Sequence, residues 1–576
     1  MSGEEKQRRE EGPPAPLSRR QFLGGVGGAA VALTVGTASA SAGELPRLAE
    51  DAALSEAARR SPEMAKAAAR REAAYQIRYQ AAKAHRKAPL VLHTANGDED
   101  RYPNRIGNYS KGLPHNSFGE VDPDAYGSLL QAAGSGDPQD YAAIRTTGGR
   151  RLTNPMGGLA FDMEGVDAWD LTAPPAPALA SAEEAGEGVE LYWMALLRDV
   201  NFLDYADHPD VAAAAADLNA VSDFKGPRVN GKVTAQSLFR DPLPGSLEGP
   251  YISQFLWLPT PFGAEYIDRR IQTALPGGDH LTRYSDWLDT QNGFGSVFSP
   301  PDPTRRHIRN GRDLGEWVHV DVLFQAYFIA CLILGSPTNV FDAETDGGIG
   351  APFNPGNPYL SSVRNQAGFV CWGTPHVKTL LCEVATRALK VAWHQKWQVH
   401  RRLRPEEFGG VVHHQATASR YPGVLHRDIL ESKALSRVLS KNGTGLLPMA
   451  FPEGSPTHPS YTAGHATVAG ACVTVLKWFF DERFVISQPV VPTPDGLALQ
   501  PYQGPPLTVG GELNKLASNI ATARNIAGVH WRSDARASLR LGEELAISIL
   551  RDQRALFPEP GSGSTFTRFN GTQITI

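Results

Sequence analysis

The chain has 576 residues, of which 20% are charged, and its formal net charge is -5. A chain of this length forms either two to four domains of ordinary size or one large helical unit around a continuous core. The acidic balance argues against a nucleic-acid-binding protein, which normally carries a basic surplus or a basic stripe.

Residues 1–42 have the pattern of a targeting segment. Arg19 and Arg20 precede an apolar, Gly/Ala-rich stretch at 23–35, and the small residues 38–40 follow it. The paired arginines predict a twin-arginine signal and export to the periplasm or the extracellular medium. The alternative, a membrane anchor, requires about twenty apolar residues, and this stretch has fewer. We therefore expect no membrane segment after signal removal.

The mature chain is predicted to form two regions, 43–310, which is mainly helical and loop-rich, and 311–576, which is helical and catalytic. Residues 45–85 are dense in Ala, Glu and Arg, a composition that favours a helix with one solvent-facing side. Residues 97–170 are rich in Asn, Gly, Pro and Tyr and are predicted as loops. The Pro/Ala/Glu stretch 173–188 is predicted as an exposed, mobile loop.

Apolar periodicity then predicts a series of helices in the rest of the chain. The predicted helices are 189–203, 285–290, a buried 317–334 and the long helices 375–399, 463–480, 512–527 and 536–555. Strand-like alternation is scarce, so the fold class is all-α, with catalytic residues at helix ends in a C-terminal bundle. The loops 97–188 and 413–447 are the expected walls of a substrate pocket.

The four cysteines show no CxxC spacing, so they do not indicate a metal site. Cys331 and Cys472 lie in apolar runs and are expected to be buried thiols. A disulfide between Cys371 and Cys382 stays open as an alternative to free thiols in an exported protein.

Gly464 and His465 directly precede the apolar run 466–480. A helix that begins at this pair presents unpaired N–H groups and the positive end of its dipole, where an anion can bind. Because Gly464 has no side chain, the anion can approach the backbone closely.

Arg524 and His530 are six residues apart, so they cannot share one face of an unbroken helix. Gly528 lies between them and is expected to break the helix. Asp534 follows His530 by four residues, near enough to hydrogen-bond one imidazole nitrogen and leave the other free. A histidine oriented in this way can ligate a metal or attack phosphorus.

Lys396 and Arg404 are separated by seven residues, and Pro405 is expected to end the helical conformation there. Each of these residues alone would normally be a solvated or structural side chain. Lys396, Arg404 and Arg524 together carry three positive charges, which match a fully deprotonated tetrahedral oxyanion. The combination therefore favours an oxyanion cage.

With these motifs the sequence resembles the vanadium-dependent haloperoxidases, which share their helical-bundle fold and anion cage with a class of acid and lipid phosphatases. The similarity is to the algal and cyanobacterial bromoperoxidase branch. It rests on the spacing of Lys396 and Arg404 and on the segments EGSPTHPSY, RNIAGVHWRSD and KGLPHNSFGEVDPDAY. It extends over nearly all of the chain from about residue 97.

The resemblance implies a vanadate cofactor and oxidation of bromide or iodide, less readily chloride, by hydrogen peroxide to hypohalous acid, which halogenates small organic compounds. It implies that His530 is the axial ligand of vanadium and that His465 is the acid/base residue. The other implied site residues are Lys396, Arg404, Gly464 and Arg524 around the vanadate oxygens, Asp534 behind His530, and His458 and Trp393 near the cofactor. Members of the branch often assemble as dimers or larger homo-oligomers.

Ala463 departs from the family pattern, in which a serine hydroxyl bonds a vanadate oxygen. Loss of a hydrogen bond to a charged group costs about 1.5–3 kcal/mol, or roughly ten- to a hundredfold in affinity. Thr462, Ser460 or a water can supply a substitute, or the scaffold has moved to different chemistry.

Two other functions also remain open on the residues alone. One is phosphoryl hydrolysis with His530 as nucleophile, and the other is a non-catalytic, exported oxyanion-binding protein. The phosphatase branch usually has six residues between the lysine and the arginine, so the seven between Lys396 and Arg404 favour the peroxidase.

Overall fold

The computed structural model describes residues 61–296, 298–335 and 349–576. The α-helices within these ranges are α1 (Pro62–Lys87), α2 (Asp98–Arg101), α3 (Pro123–Ser135), α4 (Pro138–Ala142), α5 (Ala182–Leu196), α6 (Pro209–Ala220), α7 (Tyr284–Gln291), α8 (Gly311–Trp317), α9 (Gln325–Leu334), α10 (Pro358–Ser361), α11 (Thr374–His394), α12 (Pro405–Ala418), α13 (Arg427–Leu430), α14 (Lys433–Asn442), α15 (Gly464–Phe479), α16 (Val509–Ile526) and α17 (Arg532–Leu556). Short 3₁₀ segments occupy Pro155–Leu159, Ala168–Asp170, Phe202–Asp204 and Gln254–Leu256, and a π-helix occupies Gln395–His400.

The β structure of the described residues consists of short antiparallel ribbons. Each ribbon has two strands, which are β1 (Thr260–Phe262) with β2 (Glu265–Ile267), β3 (Val490–Pro492) with β4 (Leu499–Pro501), and β5 (Thr565–Thr567) with β6 (Gln573–Thr575). The predicted all-α fold class is confirmed. No described helix combines the length and the apolar character needed to span a bilayer.

The contacts divide the chain after Ala88. In the first unit, Ser61 caps α1 by accepting a hydrogen bond from the N–H of Met64, and no residue of α1 is buried. The predicted helix 45–85 is therefore present from Pro62, whereas the targeting segment and residues up to 60 lie outside the described residues. The second unit, Pro89–Ile576, includes both sides of position 310 in one continuous apolar core.

Helix α15 lies at the centre of this core and packs against α17, α11 and α16. It is apolar on nearly every face, as expected for a helix surrounded by other helices. Gly470 of α15 faces the backbone of Leu539, and Gly542 of α17 faces the backbone of Thr467. These glycines let α15 and α17 approach closely, which fixes the position of the N-terminus of α15.

The prediction of a mobile loop at 173–188 is wrong for residues 182–188, because α5 begins at Ala182. Ser181 accepts a hydrogen bond from the N–H of Glu184 and caps this helix. Glu184, Glu187 and Glu190 are buried, since each pairs with a buried arginine. Acidic composition indicated solvent exposure, but the Ser-x-x-Glu spacing of a capping box pointed to the helix start.

The predicted continuous helix 317–334 is also wrong, because α8 ends at Trp317 and α9 begins at Gln325. β-Branched valines occupy alternate positions of this gap, at 318, 320 and 322, which disfavours a helix. The carbonyl of Val318 accepts a hydrogen bond from Arg524 instead of from the next helical turn. The break brings His319 and Asp321 towards the predicted oxyanion cage.

Pro405 begins a helix, contrary to the prediction that helical structure ends there. Proline is well suited to the first turn, where its missing N–H has no partner to lose. The loops expected at 413–447 contain α13, α14 and the end of α12, and the loops at 97–170 contain α2, α3 and α4. All four cysteines are free thiols in the structure, so the alternative of a disulfide between Cys371 and Cys382 does not hold.

The close approach of α15 and α17 predicts a large cost for any side chain at Gly542. We expect Gly542→Ala to lower the free energy of unfolding by about 1–3 kcal/mol, because the added methyl group overlaps the carbonyl oxygen of Thr467. Gly127, an exposed residue of α3, has no atom within 4 Å of an added carbon, so Gly127→Ala should raise stability by about 0.5–1 kcal/mol. Denaturant unfolding of both variants distinguishes these outcomes.

Candidate functional site

Lys396 lies in the π-helix Gln395–His400, directly after α11. Its ammonium is fully buried and donates to the carbonyls of Pro459, at 2.7 Å, and Ser460, at 2.8 Å. These carbonyls belong to the segment that leads into α15. The amine is therefore fixed beside the N-terminus of that helix.

Arg404 precedes the first turn of α12 and is also fully buried. Its Nε donates to the carbonyl of His458 at 2.9 Å, and one terminal nitrogen donates to His458 Nδ1 at 2.9 Å. The other terminal nitrogen lies 3.0 Å from His530 Nε2 and also donates to the carbonyl of Val529. The guanidinium thus links His458 and His530, two of the three predicted histidines.

Arg524 lies in the last turn of α16 and is 5% exposed. One terminal nitrogen donates to the carbonyl of Val318 at 2.7 Å. Its Nε is buried and has no hydrogen-bond partner among the described residues. A buried, unpaired N–H of a charged group is costly, so this atom indicates a missing acceptor.

The three cations form no ion pair with a carboxylate within the part of the chain that the structure describes. Burial, together with repulsion from Arg404 and Arg524, holds the pKa of Lys396 well below its usual value. Burial also lowers the pKa of Arg404, and it lowers the pKa of Arg524 to about 10. Three desolvated cations without a carboxylate partner strongly favour the binding of an anion.

His530 lies between α16 and α17, in the turn that Gly528 makes possible with a φ of 85°. Its Nδ1 is 2.8 Å from Asp534 Oδ2, which also accepts from the hydroxyl of Ser460 and the N–H of Trp531. A carboxylate accepts only, so Nδ1 carries the proton and Nε2 presents a lone pair to the cage. Burial, then repulsion from Arg404, holds the pKa of His530 well below its usual value.

Arg402 binds the carboxylate oxygen of Asp534 that does not face His530. Arg402 was not among the predicted site residues. One terminal nitrogen of Arg402 donates to Asp534 Oδ1 at 2.7 Å, and the other pairs with Glu184 and lies 3.5 Å from Glu187. Both glutamates come from α5, the helix mistaken for a loop. Burial raises the pKa values of both glutamates, and the charge of Arg402 acts in the opposite direction.

Gly464 is the first residue of α15, as predicted, and His465 is the second. His465 Nε2 is 2.9 Å from Asp321 Oδ1, a contact between residues 144 positions apart in the sequence. Burial lowers the pKa of His465 although Asp321 acts in the opposite direction. Asp321 was missed as a site residue because it was assigned to the interior of an unbroken helix.

His458 and Trp393 lie together at the same site. Their ring centroids are 4.7 Å apart, and the ammonium of Lys396 is 5.7 Å from the Trp393 ring. Burial, then repulsion from Lys396, holds the pKa of His458 well below its usual value. The structure therefore brings together every residue that the sequence predicted for the site.

Ala463 is the residue before α15 and offers no hydroxyl to the cage. Ser460 is not a substitute, because its hydroxyl donates to Asp534 on the far side of His530. Thr462 has a buried hydroxyl without a hydrogen-bond partner among the described residues. Of the two side chains proposed from the sequence, Thr462 is the one with a free hydroxyl.

Comparison of the sequence and the structure with those of known proteins identifies relatives of this chain. The family model described as the VCPO second helical-bundle domain matches residues 380–558. The vanadium-dependent bromoperoxidase of Corallina pilulifera is 37% identical, over 88% of this chain and 98% of its own. The vanadium-dependent bromoperoxidase of Ascophyllum nodosum is 35% identical, over 84% of this chain and 88% of its own.

The chain belongs to the vanadium haloperoxidase family. A solved structure from A. nodosum, a homohexameric vanadate-dependent bromoperoxidase, superimposes with a TM-score of 0.82 at 31% identity and covers 89% of this chain and 90% of that chain. The haloperoxidase family match at 380–558 spans all the cage residues from Trp393 to Asp534. Asp321 and the glutamates of α5 lie before it in the sequence.

The unpaired cations predict that an oxyanion stabilises the folded protein. Phosphate at a hundred times its dissociation constant should add about 2.7 kcal/mol to the free energy of unfolding. Thermal unfolding with phosphate, compared with sodium chloride at equal ionic strength, measures this. Lys396→Gln removes one cation and should reduce the phosphate-dependent increase. Equal stabilisation by the two salts would contradict the prediction.

Proposed function

We propose that the protein is a vanadate-dependent haloperoxidase that uses hydrogen peroxide to oxidise bromide or iodide, less readily chloride. The observation that carries this proposal is the set of three buried cations without carboxylate partners, arranged around the lone pair of His530 Nε2. The relatives that cover most of the chain are named as bromoperoxidases. The hypohalous acid formed would halogenate small organic compounds.

The residues fit vanadate by charge and by donor type. Lys396, Arg404 and Arg524 would hold the vanadate oxygens, together with the backbone N–H of Gly464, while His530 Nε2 would be the metal ligand. The buried, unpaired Nε of Arg524 and the three uncompensated charges are what an oxyanion would satisfy. Bound vanadate supplies Lewis acidity that makes peroxide susceptible to attack by a halide without a redox change at the metal.

His465 is proposed to move protons at this site. Asp321 occupies the Nε2 position, so Nδ1 is the nitrogen available to accept and return a proton. The lowered pKa of His465 keeps the imidazole neutral at neutral pH, which suits a group that first accepts a proton. Asp321 fixes the ring, in the way that Asp534 fixes His530.

Trp393 and His458 are proposed to line the halide side of the site. Both rings lie beside Lys396, whose positive charge attracts a halide ion, and the aromatic surface favours a weakly hydrated, polarisable anion. Bromide and iodide meet that description better than chloride. This halide preference rests on the same two residues that the family resemblance singled out.

Export by the twin-arginine route, and hence a periplasmic or extracellular location, is proposed from the sequence of residues 1–42. A homo-oligomeric state is proposed from the homohexameric relative. Large apolar side chains on the surface support it, because Leu90, Leu92, Phe161 and Met163 are each at least 85% exposed. Light scattering of the purified mature protein measures the assembly.

Activity should depend on vanadate and on His530. The mature protein, loaded with orthovanadate, should brominate a phenolic dye with hydrogen peroxide, and the apo-protein should not. His530→Ala should lose at least a hundredfold in activity because the metal ligand is gone. Hydrolysis of an aryl phosphate, assayed in parallel, tests the alternative. Phosphatase turnover without halogenation would overturn the proposal.

Ala463→Ser should tighten vanadate binding by roughly ten- to a hundredfold, because the new hydroxyl adds a hydrogen bond to a charged oxygen. Thr462→Val, which removes the unpaired hydroxyl and keeps the shape, should weaken binding if Thr462 is the substitute donor. Vanadate titration of both variants measures these changes. An unchanged or lower affinity in Ala463→Ser would count against a role for the missing serine.

A further inference from the structure

The segment between α8 and α9 touches two residues of the oxyanion site. The carbonyl of Val318 accepts a hydrogen bond from Arg524 at 2.7 Å. Asp321 lies 2.9 Å from Nε2 of His465. Any movement of this short segment would therefore displace both a cation of the cage and the proposed acid/base residue.

His319 lies between these two contacts and is itself anchored. Its Nε2 is 2.7 Å from Glu453 Oε1, and its Nδ1 is 3.5 Å from Glu316 Oε1. The imidazole stacks on Phe451, with ring centroids 3.8 Å apart and an interplanar angle of 7°. The guanidinium carbon of Arg524 is 5.6 Å from the same Phe451 ring.

Glu453 offers a firm anchor because its backbone is fixed by a buried lysine. Lys111 donates to the carbonyls of Glu453, at 2.8 Å, and Ser455, at 2.6 Å, and it pairs with Glu406. The segment fixed in this way continues to His458 and then to the N-terminus of α15. The contact between His319 and Glu453 thus links the segment Val318–Asp321 to the segment that leads into α15.

We infer that His319, paired with Glu453, is a positioning residue that holds Arg524 and the Asp321–His465 pair in their working places. The inference rests on the proposed function and deepens it, since the same site is concerned. The side chains of His319 and Glu453 are 18% and 19% exposed, so the pair lies where the site meets solvent. Neither residue contacts the proposed metal ligand.

The protonation state of His319 makes this role testable. Burial by itself would lower its pKa, but hydrogen bonds to Glu316 and Glu453 outweigh burial and raise the pKa to about 9. The ion pair is therefore complete below the ordinary histidine pKa and is lost as the pH rises through about 9. The affinity of the site for an oxyanion should fall over that alkaline range.

Other charged groups surround the pair and must be distinguished from it. Arg150 and Lys111 act on Glu453 or its backbone, and Asp321 and Arg524 lie on the cage side. Burial lowers the pKa values of Lys111, Lys396 and Arg524, the last to about 10, so these cations also lose charge as the pH rises. A variant that removes only the His319 titration separates its contribution from that of these cations.

The test compares oxyanion affinity with pH in three variants. His319→Phe keeps an aromatic ring for stacking on Phe451 and deletes the ion pair, and Glu453→Gln deletes the partner charge. Glu164→Gln is the matched control, because Glu164 pairs with Arg387 at the same 2.7 Å, with 23% and 17% exposure, outside the site. Calorimetric titration uses inorganic phosphate, which stays a dianion over this range, and then orthovanadate at neutral pH.

Both site variants should bind phosphate and vanadate about tenfold more weakly at neutral pH, the lower end of the effect of residues that orient a binding group. The decrease in phosphate affinity near pH 9 should be smaller in His319→Phe than in wild type and Glu164→Gln. A decrease near pH 9 in His319→Phe that is as large as in wild type would overturn the inference. Wild-type protein that binds phosphate but lacks peroxidase activity would overturn the proposed function and leave this comparison decisive.

Discussion

The site depends on three cations that the fold removes from water without giving them a counter-ion. Lys396, Arg404 and Arg524 are bonded to carbonyls and imidazoles, not to carboxylates. Elsewhere in the same unit, the buried Arg532 is neutralised by the buried Glu190. At the site, the neutralising charge would come from a bound anion.

Carboxylates are nevertheless close to the site, and their placement follows one rule. Asp534 and Asp321 face the outer nitrogens of His530 and His465, so each carboxylate orients an imidazole instead of pairing with a cation of the cage. A carboxylate in direct contact with the three cations would compete with the oxyanion for them. Placed behind the histidines, it fixes their tautomers and leaves the cations unpaired.

The sequence alone was sufficient for the parts of the site set by local chemistry. The apolar run after Gly464 determines where α15 begins, Gly528 permits the turn before His530, and the four-residue step to Asp534 closes a hydrogen bond. Contacts between distant parts of the chain carry no such local signal. Asp321 was missed because it was assigned to an unbroken, buried helix, and Glu184 because an acidic residue in a polar stretch is normally solvated. Only the folded chain shows their partners.

The contact between α5 and Arg402 has a consequence for how the protein folds. Glu184 and Arg402 are 218 positions apart, and Asp321 and His465 are 144 positions apart. Contacts of such long range form late, because the entropy of closing long loops must be overcome first. The cations are placed by contacts of similar range, because Arg404 and Val529 are 125 positions apart and Arg524 and Val318 are 206 positions apart. Tight oxyanion binding is therefore a property of the finished tertiary structure, and it reports that folding is complete.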